Sequence, residues 1–353
     1  MFFGLGLFFA SRESVPQIAG DANGDRIVNV GDVVYEVTYL HKDGPGPHFY
    51  ACGDPNADCT VNVGDIVYLV NYLYKDGPDP QILDCGWSEP VNLGAPINSP
   101  ASDVTFRMTP DGRMAAWGSN RPGTYGNDDI WYSYWNSISG TWSEPQNCGP
   151  NINGMPIDHY PSFSADGRRL YCLSFGRPGG YGDWDVWVSI WDSLNQQWGG
   201  IENLGPVING FGAWSPFLAP DGSKLYFSHD GIWVSDWNGT GWDEPVSLGS
   251  NVNANCAESD PTVTAGNETL YFTRYRWKGT RYICVSHWTG TEWGPAIALG
   301  PVINDYGAKH PYITPDGSKL YFVSGRPGGL GGVDIWVSQR IPAARQKRSE
   351  EKE

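Results

Sequence analysis

The stretch SPFLAPDGSKLYF at residues 215–227 decides the fold of this chain. It places Pro-Asp-Gly between two short apolar segments, a strong hairpin signal because glycine accepts the positive φ of such turns. The same turn, followed by a strand like Leu-Tyr-Phe, recurs from residue 87 onward. Its copies are Asp111-Gly112, Asp166-Gly167, Asp221-Gly222, Asp316-Gly317 and the variant Gly266-Asn267.

The repeated unit is longer than one hairpin. Its signature is W-x-x-P-x-x-L-G-x-x-I-N, then x-P-x-x-(S/T/A)-P-D-G-x-x-L-Y-F, then D-(I/V)-W-V-S, and it occurs five times at a period of about 44–56 residues. Each copy predicts four short strands, which bury both faces only when the copies stack radially as a five-bladed β-propeller. The motifs resemble TolB-type propeller repeats over residues 87–340. That resemblance implies the fold and no particular function.

The two ends of the repeat region predict how the ring closes. The last copy ends after residues 334–338 without a W-x-x-P strand of its own, whereas a spare one precedes the first copy at residues 87–93. A strand from the N-terminal side would complete the last blade and remove an open sheet edge. The charged segment 341–353 has no repeat and is predicted to be disordered.

Composition favours a mainly all-β protein. The 353 residues include 46 Gly, 27 Pro, 17 Trp and 19 Tyr, and only 18% are charged, which is typical of short strands and tight turns. The net charge of −16 argues against a nucleic-acid partner, because it offers nothing to neutralise phosphates.

The N-terminus predicts an exported protein. Residues 2–10 form an apolar run that is too short to span a bilayer and resembles the core of a secretory signal peptide, so 1–18 is interpreted as a leader. The alternative is a buried apolar strand. No other segment is predicted to cross a membrane, and the expected location is extracellular or at the cell surface.

Two twelve-residue loops share one spacing of oxygen ligands, that of EF-hand-type calcium loops at positions 1, 3, 5, 7, 9 and 12. Calcium is a hard cation that takes six to eight oxygens, and position 7 supplies its backbone carbonyl. The alternative is a pair of Asp/Asn-rich turns without metal. The predicted ligands of two Ca²⁺ ions are Asp21, Asn23, Asp25, Ile27, Asn29 and Asp32, and then Asp54, Asn56, Asp58, Thr60, Asn62 and Asp65.

The paired loops and their repeated flanks resemble a type I dockerin over residues 19–85. The resemblance implies a small α-helical domain that docks onto a cohesin-like or other extracellular protein. Arg26 and Cys59 occupy position 6, where glycine usually relieves the sharp turn. The organisation expected is therefore a leader (1–18), a dockerin-like domain (19–85), a propeller (86–340) and a tail (341–353).

Six of the seven cysteines divide into two groups. Cys52, Cys59 and Cys85 lie around the second loop and could form one disulfide in an oxidising compartment, with the pairing left open. Cys148, Cys172 and Cys284 replace apolar residues of the repeat and are interpreted as small core residues.

One position breaks the symmetry of the repeat, at the start of each innermost strand. Its residues vary while the framework repeats, which predicts a ligand site at one mouth of the central channel. The alternative is that the acids there bind backbone N–H groups at strand starts. The candidates are Asp103, Asp158, His159, Trp214, Glu258, Asp260, Lys309 and His310.

No catalytic residue is predicted, since no nucleophile or metalloprotease motif is present in the sequence. The leading hypothesis is a secreted calcium-binding protein whose propeller binds protein or glycan. One alternative is a glycoside hydrolase or related polysaccharide-degrading enzyme that its dockerin targets. Another is a structural subunit of an extracellular or cell-surface assembly. Gly-rich loops such as residues 177–182 are interpreted as hairpins in which Arg pairs with a nearby acid.

Overall fold

The computed structural model describes residues 19–23, 27–42, 44, 54–56, 61–80, 83–84, 86–154, 157–254, 257–275 and 281–341. The predicted leader, the tail beyond Ile341, and the disulfide among Cys52, Cys59 and Cys85 lie outside these residues. The chain divides into two compact units, whose boundary falls between Ile82 and Leu83. Within the described ranges, no helix is long and apolar enough to cross a membrane.

The N-terminal unit contains two helices, α1 (Val30–His41) and α2 (Val63–Tyr74), which contact each other. Both begin with a capping box. In α1, the Asn29 side chain accepts from the Gly31 N–H at 2.6 Å and Asp32 accepts from the Asn29 N–H at 2.8 Å, which satisfies N–H groups that the helix leaves open. Asn62 and Asp65 do the same for α2.

The larger unit is a five-bladed propeller of antiparallel sheets. It begins with two short strands, β1 (Leu83–Asp84) and β2 (Val91–Asn92). Blade I contains β3 (Asp103–Met108), β4 (Met114–Ser119), β5 (Asp129–Asn136), β6 (Thr141–Trp142) and β7 (Gln146–Asn147). Blade II contains β8 (Asp158–Phe163), β9 (Arg169–Phe175), β10 (Trp184–Asp192) and β11 (Gln197–Asn203), and the short helix α3 (Pro206–Asn209) follows it.

The remaining blades repeat this arrangement. Blade III contains β12 (Trp214–Leu218), β13 (Lys224–Ser228), β14 (Ile232–Asp236) and β15 (Val246–Ser247). Blade IV contains β16 (Glu258–Val263), a 3-10 turn (Ala265–Asn267), β17 (Thr269–Tyr275), β18 (Arg281–His287) and β19 (Ile297–Leu299), with the helix α4 (Pro301–Asn304) after it. Blade V contains β20 (Lys309–Ile313), β21 (Lys319–Ser324) and β22 (Asp334–Gln339).

The ring closes as the sequence predicts. Strand β2 pairs antiparallel with β22, with Val91 opposite Val337 and Asn92 opposite Trp336, so a strand from before blade I completes blade V. Trp87 forms a further bridge to Arg340. Strand β1 adds to the outer edge of blade IV by pairing parallel with β19.

The asparagine of the I-N motif joins each blade to the loop that enters the next. Asn209 accepts from the Val186 N–H at 2.7 Å and donates to the Val186 carbonyl at 2.8 Å and to Asn203 at 2.9 Å. In all five blades such an asparagine accepts from the N–H, and donates to the carbonyl, of one Ile or Val in the blade's third strand. These residues are Asn98, Asn153, Asn209, Asn253 and Asn304. The motif therefore fixes the connection between blades.

The cysteines of the repeats are core residues, as predicted. Cys172 occupies the place of Phe227 and Phe272, and all three are fully buried. Cys148 and Cys284 are buried as well, and burial raises the pKa of the Cys148 and Cys172 thiols. They pack as small apolar groups.

Candidate functional site at the channel mouth

The five innermost strands each contain a β-bulge, seen as a register shift against the second strand of the blade. At every bulge one non-glycine residue adopts a left-handed φ, which costs energy and re-aims its side chain. Because these strands contact one another around the axis, five side chains come to one level. This channel ring consists of Thr105, Tyr160, Ser215, Asp260 and His310.

Four members of the channel ring, from four different blades, contact one another. The Tyr160 hydroxyl lies 3.4 Å from His310 Nε2, and that nitrogen lies 3.8 Å from Asp260 Oδ2. Ser215 donates to the other Asp260 oxygen at 2.9 Å, and Ser259 donates to Oδ2 at 3.0 Å. These four members therefore form one polar network, in which Ser215, Asp260 and His310 are buried.

Burial sets the charge states in this network. It lowers the pKa of His310 to about 3, so the imidazole is neutral at physiological pH. Burial also acts to raise the pKa of Asp260, but His310 and hydrogen bonds from Thr273, Ser215 and Ser259 outweigh it and lower the pKa. Asp260 is therefore held as a carboxylate, although only 1% of it is exposed.

A second layer lies two residues further along the same strands, with Arg107 at its centre. The guanidinium is buried between the rings of Phe217 and Tyr312, at 5.5 and 5.7 Å from their centroids. Burial lowers the pKa of Arg107 to about 10, and Asp260 partly opposes that effect. Below this layer a cavity of about 20 Å³ remains, which is room for about one water.

Three of the predicted acids have partners within their own blades. Asp103 pairs with Arg121 at 2.6 Å, Asp158 with Arg177 at 3.1 Å and Glu258 with Arg274 at 3.0 Å, and all three acids are buried. Each also accepts from the backbone N–H of the residue four positions earlier, in the entering loop: Ser99, Gly154 and Ala254. These acids therefore cap the starts of the innermost strands. Ligand binding by them stays a prediction.

The Arg residues of these pairs confirm the interpretation of two of the Gly-rich loops. Arg121 and Arg177 each bind the acid that begins the innermost strand of the blade. In blade V, where Ala308 replaces the acid, Arg326 instead donates to the Val302 and Ile303 carbonyls and lies over the Trp336 ring. The loops therefore anchor blades I, II and V to their entering segments.

An aromatic wall forms one half of the mouth, on blades II and III. Trp214 is 43% exposed, and its ring lies 5.1 Å from Trp184, which in turn lies 4.9 Å from Phe175 and 5.8 Å from His159. The name aromatic wall denotes these four side chains below. They offer flat faces next to Tyr160 of the channel ring.

The structure therefore separates the predicted mouth residues into groups. Asp260 and His310 meet in the channel ring, His159 and Trp214 meet through Trp184, and Lys309 precedes His310. Sequence reasoning missed Tyr160 and Ser215, which follow the chosen positions by one residue. Their signal was present: a proline follows the ring position in four of the five repeats, at Pro161, Pro216, Pro261 and Pro311.

The calcium loops are described only in part, because Asp25, Asp58 and Thr60 lie outside the described residues. Asp21, Asp32, Asp54 and Asp65 are buried, and Asn29 and Asn62 serve as helix caps. Asn29 also donates to the Ile27 carbonyl at 3.1 Å, and Asn23 N–H donates to Asp32 at 3.2 Å. Within the described part of the chain, no three or more His, Cys, Asp or Glu side chains are arranged to hold a metal ion.

Comparison with known proteins shows the fold alone. No family model and no curated protein matches the chain. Among solved structures, TolB from Acinetobacter baumannii is 16% identical with a TM-score of 0.42 over 68% of this chain, which spans 54% of that protein. The catalytic domain of the GH62 α-L-arabinofuranosidase from Coprinopsis cinerea is 15% identical with a TM-score of 0.50, over 73% of this chain and 97% of that one. The Bacillus subtilis arabinanase Arb43A is 14% identical with a TM-score of 0.44, over 70% and 97%.

Proposed function

We propose that this chain is a secreted binding protein, whose propeller mouth takes a glycan and whose N-terminal unit is a calcium-dependent docking module. The observation that carries the proposal is the exposed Trp214 on the aromatic wall, next to the polar channel ring. A flat aromatic face beside hydrogen-bonding groups suits a sugar, which presents an apolar ring face and hydroxyls together.

Binding suits this site better than glycoside hydrolysis. A glycosidase needs two carboxyl groups about 5–10 Å apart on either side of the scissile bond. Of the acids near the mouth, Asp103, Asp158 and Glu258 are already bound by arginines, and Asp260 is enclosed in the channel ring. The hydrolase stays a second candidate, because Asp260 is held as a carboxylate next to the mouth.

The N-terminal unit fits calcium by the chemistry of its donors. The described loop residues supply carboxylate, amide and carbonyl oxygens, which calcium prefers. Glu36 adds a fully buried carboxyl group whose two oxygens have no hydrogen-bond partner among the described residues. Burial together with Asp65, Asp32 and Asp54 raises its pKa to about 9. A divalent cation would relieve this concentration of negative charge. Its binding would also couple to folding of the unit.

A docking surface is supported by matching exposed residues on the two helices. Val30 and Val34 of α1 are 53% and 60% exposed, and their counterparts Val63 and Val67 of α2 are 52% and 53% exposed. Two similar apolar patches are what a duplicated module offers to a cohesin-like partner. Under the alternative of a structural subunit, the same patches would contact a neighbouring copy.

Three measurements on the full chain test the proposal. A glycan array combined with a hydrolase screen separates binding from catalysis, and turnover of any bound oligosaccharide would favour the enzyme. Calorimetry with EDTA-treated protein should reveal two calcium sites. A pull-down from the native secretome should recover a partner in calcium and lose it in EDTA; recovery that ignores calcium would contradict the docking module.

A further inference from the structure

The half of the mouth opposite the aromatic wall is basic. Equivalent positions of the repeat hold cations there and tryptophans in the aromatic wall. Arg281 begins the third strand of blade IV and pairs opposite Tyr275, in the same place where Trp184 pairs opposite Phe175 in blade II. Lys309 begins the innermost strand of blade V, where Trp214 begins that of blade III. The two positions that hold Trp184 and Trp214 in blades II and III thus hold cations in blades IV and V.

These two cations are near enough to each other to interact electrostatically. Neither Arg281 nor Lys309 forms an ion pair within the described part of the chain. Burial and the charge of Arg281 lower the pKa of Lys309, whereas Asp260, the acid that opposes this effect, is buried in the channel ring. Arg281 is oriented by the ring of Tyr275, at 4.9 Å from its centroid.

Such a pair is unexpected in this protein. The chain has a net charge of −16, with 39 acids and 23 Lys and Arg residues, so two neighbouring cations at one mouth contrast with its overall charge. Arginine and lysine without partners are the groups that recognise carboxylates, and arginine can do so with two parallel hydrogen bonds.

We propose that the ligand of the mouth is an acidic glycan, in which a uronate carboxylate binds Arg281 and Lys309 while a sugar ring stacks on Trp214. This inference rests on the proposed glycan-binding function and names its ligand class. A peptide carboxylate carries the same charge, but the exposed indole of Trp214 matches the flat face of a sugar and favours the glycan.

The test compares one oligosaccharide with and without its charge. Calorimetry on the full chain, at fixed calcium, measures binding of a short oligogalacturonate and of the same oligomer as its methyl ester. The acid should bind at least about tenfold more tightly at low salt, and the difference should shrink in high salt because screening weakens exposed charge pairs. Arg281→Gln and Lys309→Met should each remove most of the preference for the acid while binding of the ester is retained.

Lys319→Met provides the matched control, because Lys319 is exposed and begins the second strand of the same blade. It should leave both affinities unchanged, and melting temperatures should confirm that all variants fold. Equal binding of the acid and the ester would overturn the acidic-glycan inference and leave glycan binding standing. Binding of a peptide with a free C-terminal carboxylate, but of neither oligomer, would overturn both.

Discussion

Arg340 donates to both carboxylate oxygens of Asp84, at 2.7 and 2.5 Å, although 256 residues separate them. Asp84 lies in β1 at the outer edge of blade IV, and Arg340 directly follows the last strand of blade V. Arg340 also lies over the ring of Trp87 at 5.1 Å. In the other blades a tryptophan takes this place and packs edge-on against the opening Trp of the repeat, in the pairs Trp135–Trp142, Trp191–Trp198, Trp237–Trp242 and Trp288–Trp293.

The first prediction concerns this closure. Arg340→Met should lower the free energy of unfolding by about 1–3 kcal/mol, because it leaves the mostly buried Asp84 without its charged donor. Urea unfolding followed by tryptophan fluorescence measures the change. Arg113→Met is the control, since Arg113 and Asp111 form an exposed pair and its loss should cost little. Equal effects of the two substitutions would contradict a role in closing the ring.

The second prediction concerns the I-N motif. Asn209→Ala should destabilise the propeller by about 2–5 kcal/mol, because it leaves the buried N–H and carbonyl of Val186 without partners. Asn127→Ala, at an exposed position, should change stability by less than about 0.5 kcal/mol. Chemical denaturation of both variants provides the comparison, and a tolerated Asn209→Ala would show that the motif does not join the blades.

Sequence periodicity predicted the blades and their closure, because one missing strand and one spare strand are visible in the pattern. It did not identify the partner of Asp103, since nothing local reveals that Arg121 can bind this acid across the blade. The channel ring was missed by one residue at Tyr160, because a bulge changes which side chain faces the axis and only the proline after four of the five ring positions indicates it in the sequence. Arg281 and Trp184 follow loops of different sequence, so their equivalence appears only in the strand register.

The third prediction concerns the buried acid of the N-terminal unit. Glu36→Leu copies Leu69, the fully buried residue at the equivalent place in α2, and removes a carboxyl group that accepts no hydrogen bond from the part of the chain that the structure describes. In EDTA, this variant should lose its helical circular dichroism signal at a higher temperature than the parent. The expected gain in the free energy of unfolding is about 1–3 kcal/mol. Asp79→Asn, which removes an exposed acid of the same unit, should have little effect. A lower melting temperature for Glu36→Leu would show that the carboxyl group stabilises the metal-free unit.

The fourth prediction concerns the aromatic wall. Trp214→Ala should weaken glycan binding by roughly three- to tenfold, which corresponds to the loss of one stacking face. The melting temperature should change little, because 43% of the side chain is already exposed. Trp237→Ala is the control: Trp237 is 40% exposed but packs against Trp242 at the outer edge of blade III. Loss of affinity in that variant, or a collapse of stability in Trp214→Ala, would assign the tryptophans to packing.

The last prediction uses the neutral histidine of the channel ring. Burial lowers the pKa of His310 to about 3, whereas an unfolded chain titrates histidine near its ordinary value of 6.5. Below pH 6.5 the histidine therefore binds a proton in the unfolded state but not in the folded state. Stability should fall by about 1.4 kcal/mol per pH unit from this group as the pH drops from 6.5 toward 3, with no contribution above 6.5.

His310→Asn tests this slope. Asparagine accepts the left-handed backbone at this position, where φ is 51°, and it does not titrate. Unfolding free energies measured at pH 7, 6 and 5 should fall less steeply in the variant than in the parent. In the variant, the free energy of unfolding should still depend on pH, since burial also lowers the pKa of His159 and of His287. A parent and a His310→Asn variant with identical slopes would mean that His310 takes up its proton in the folded ring.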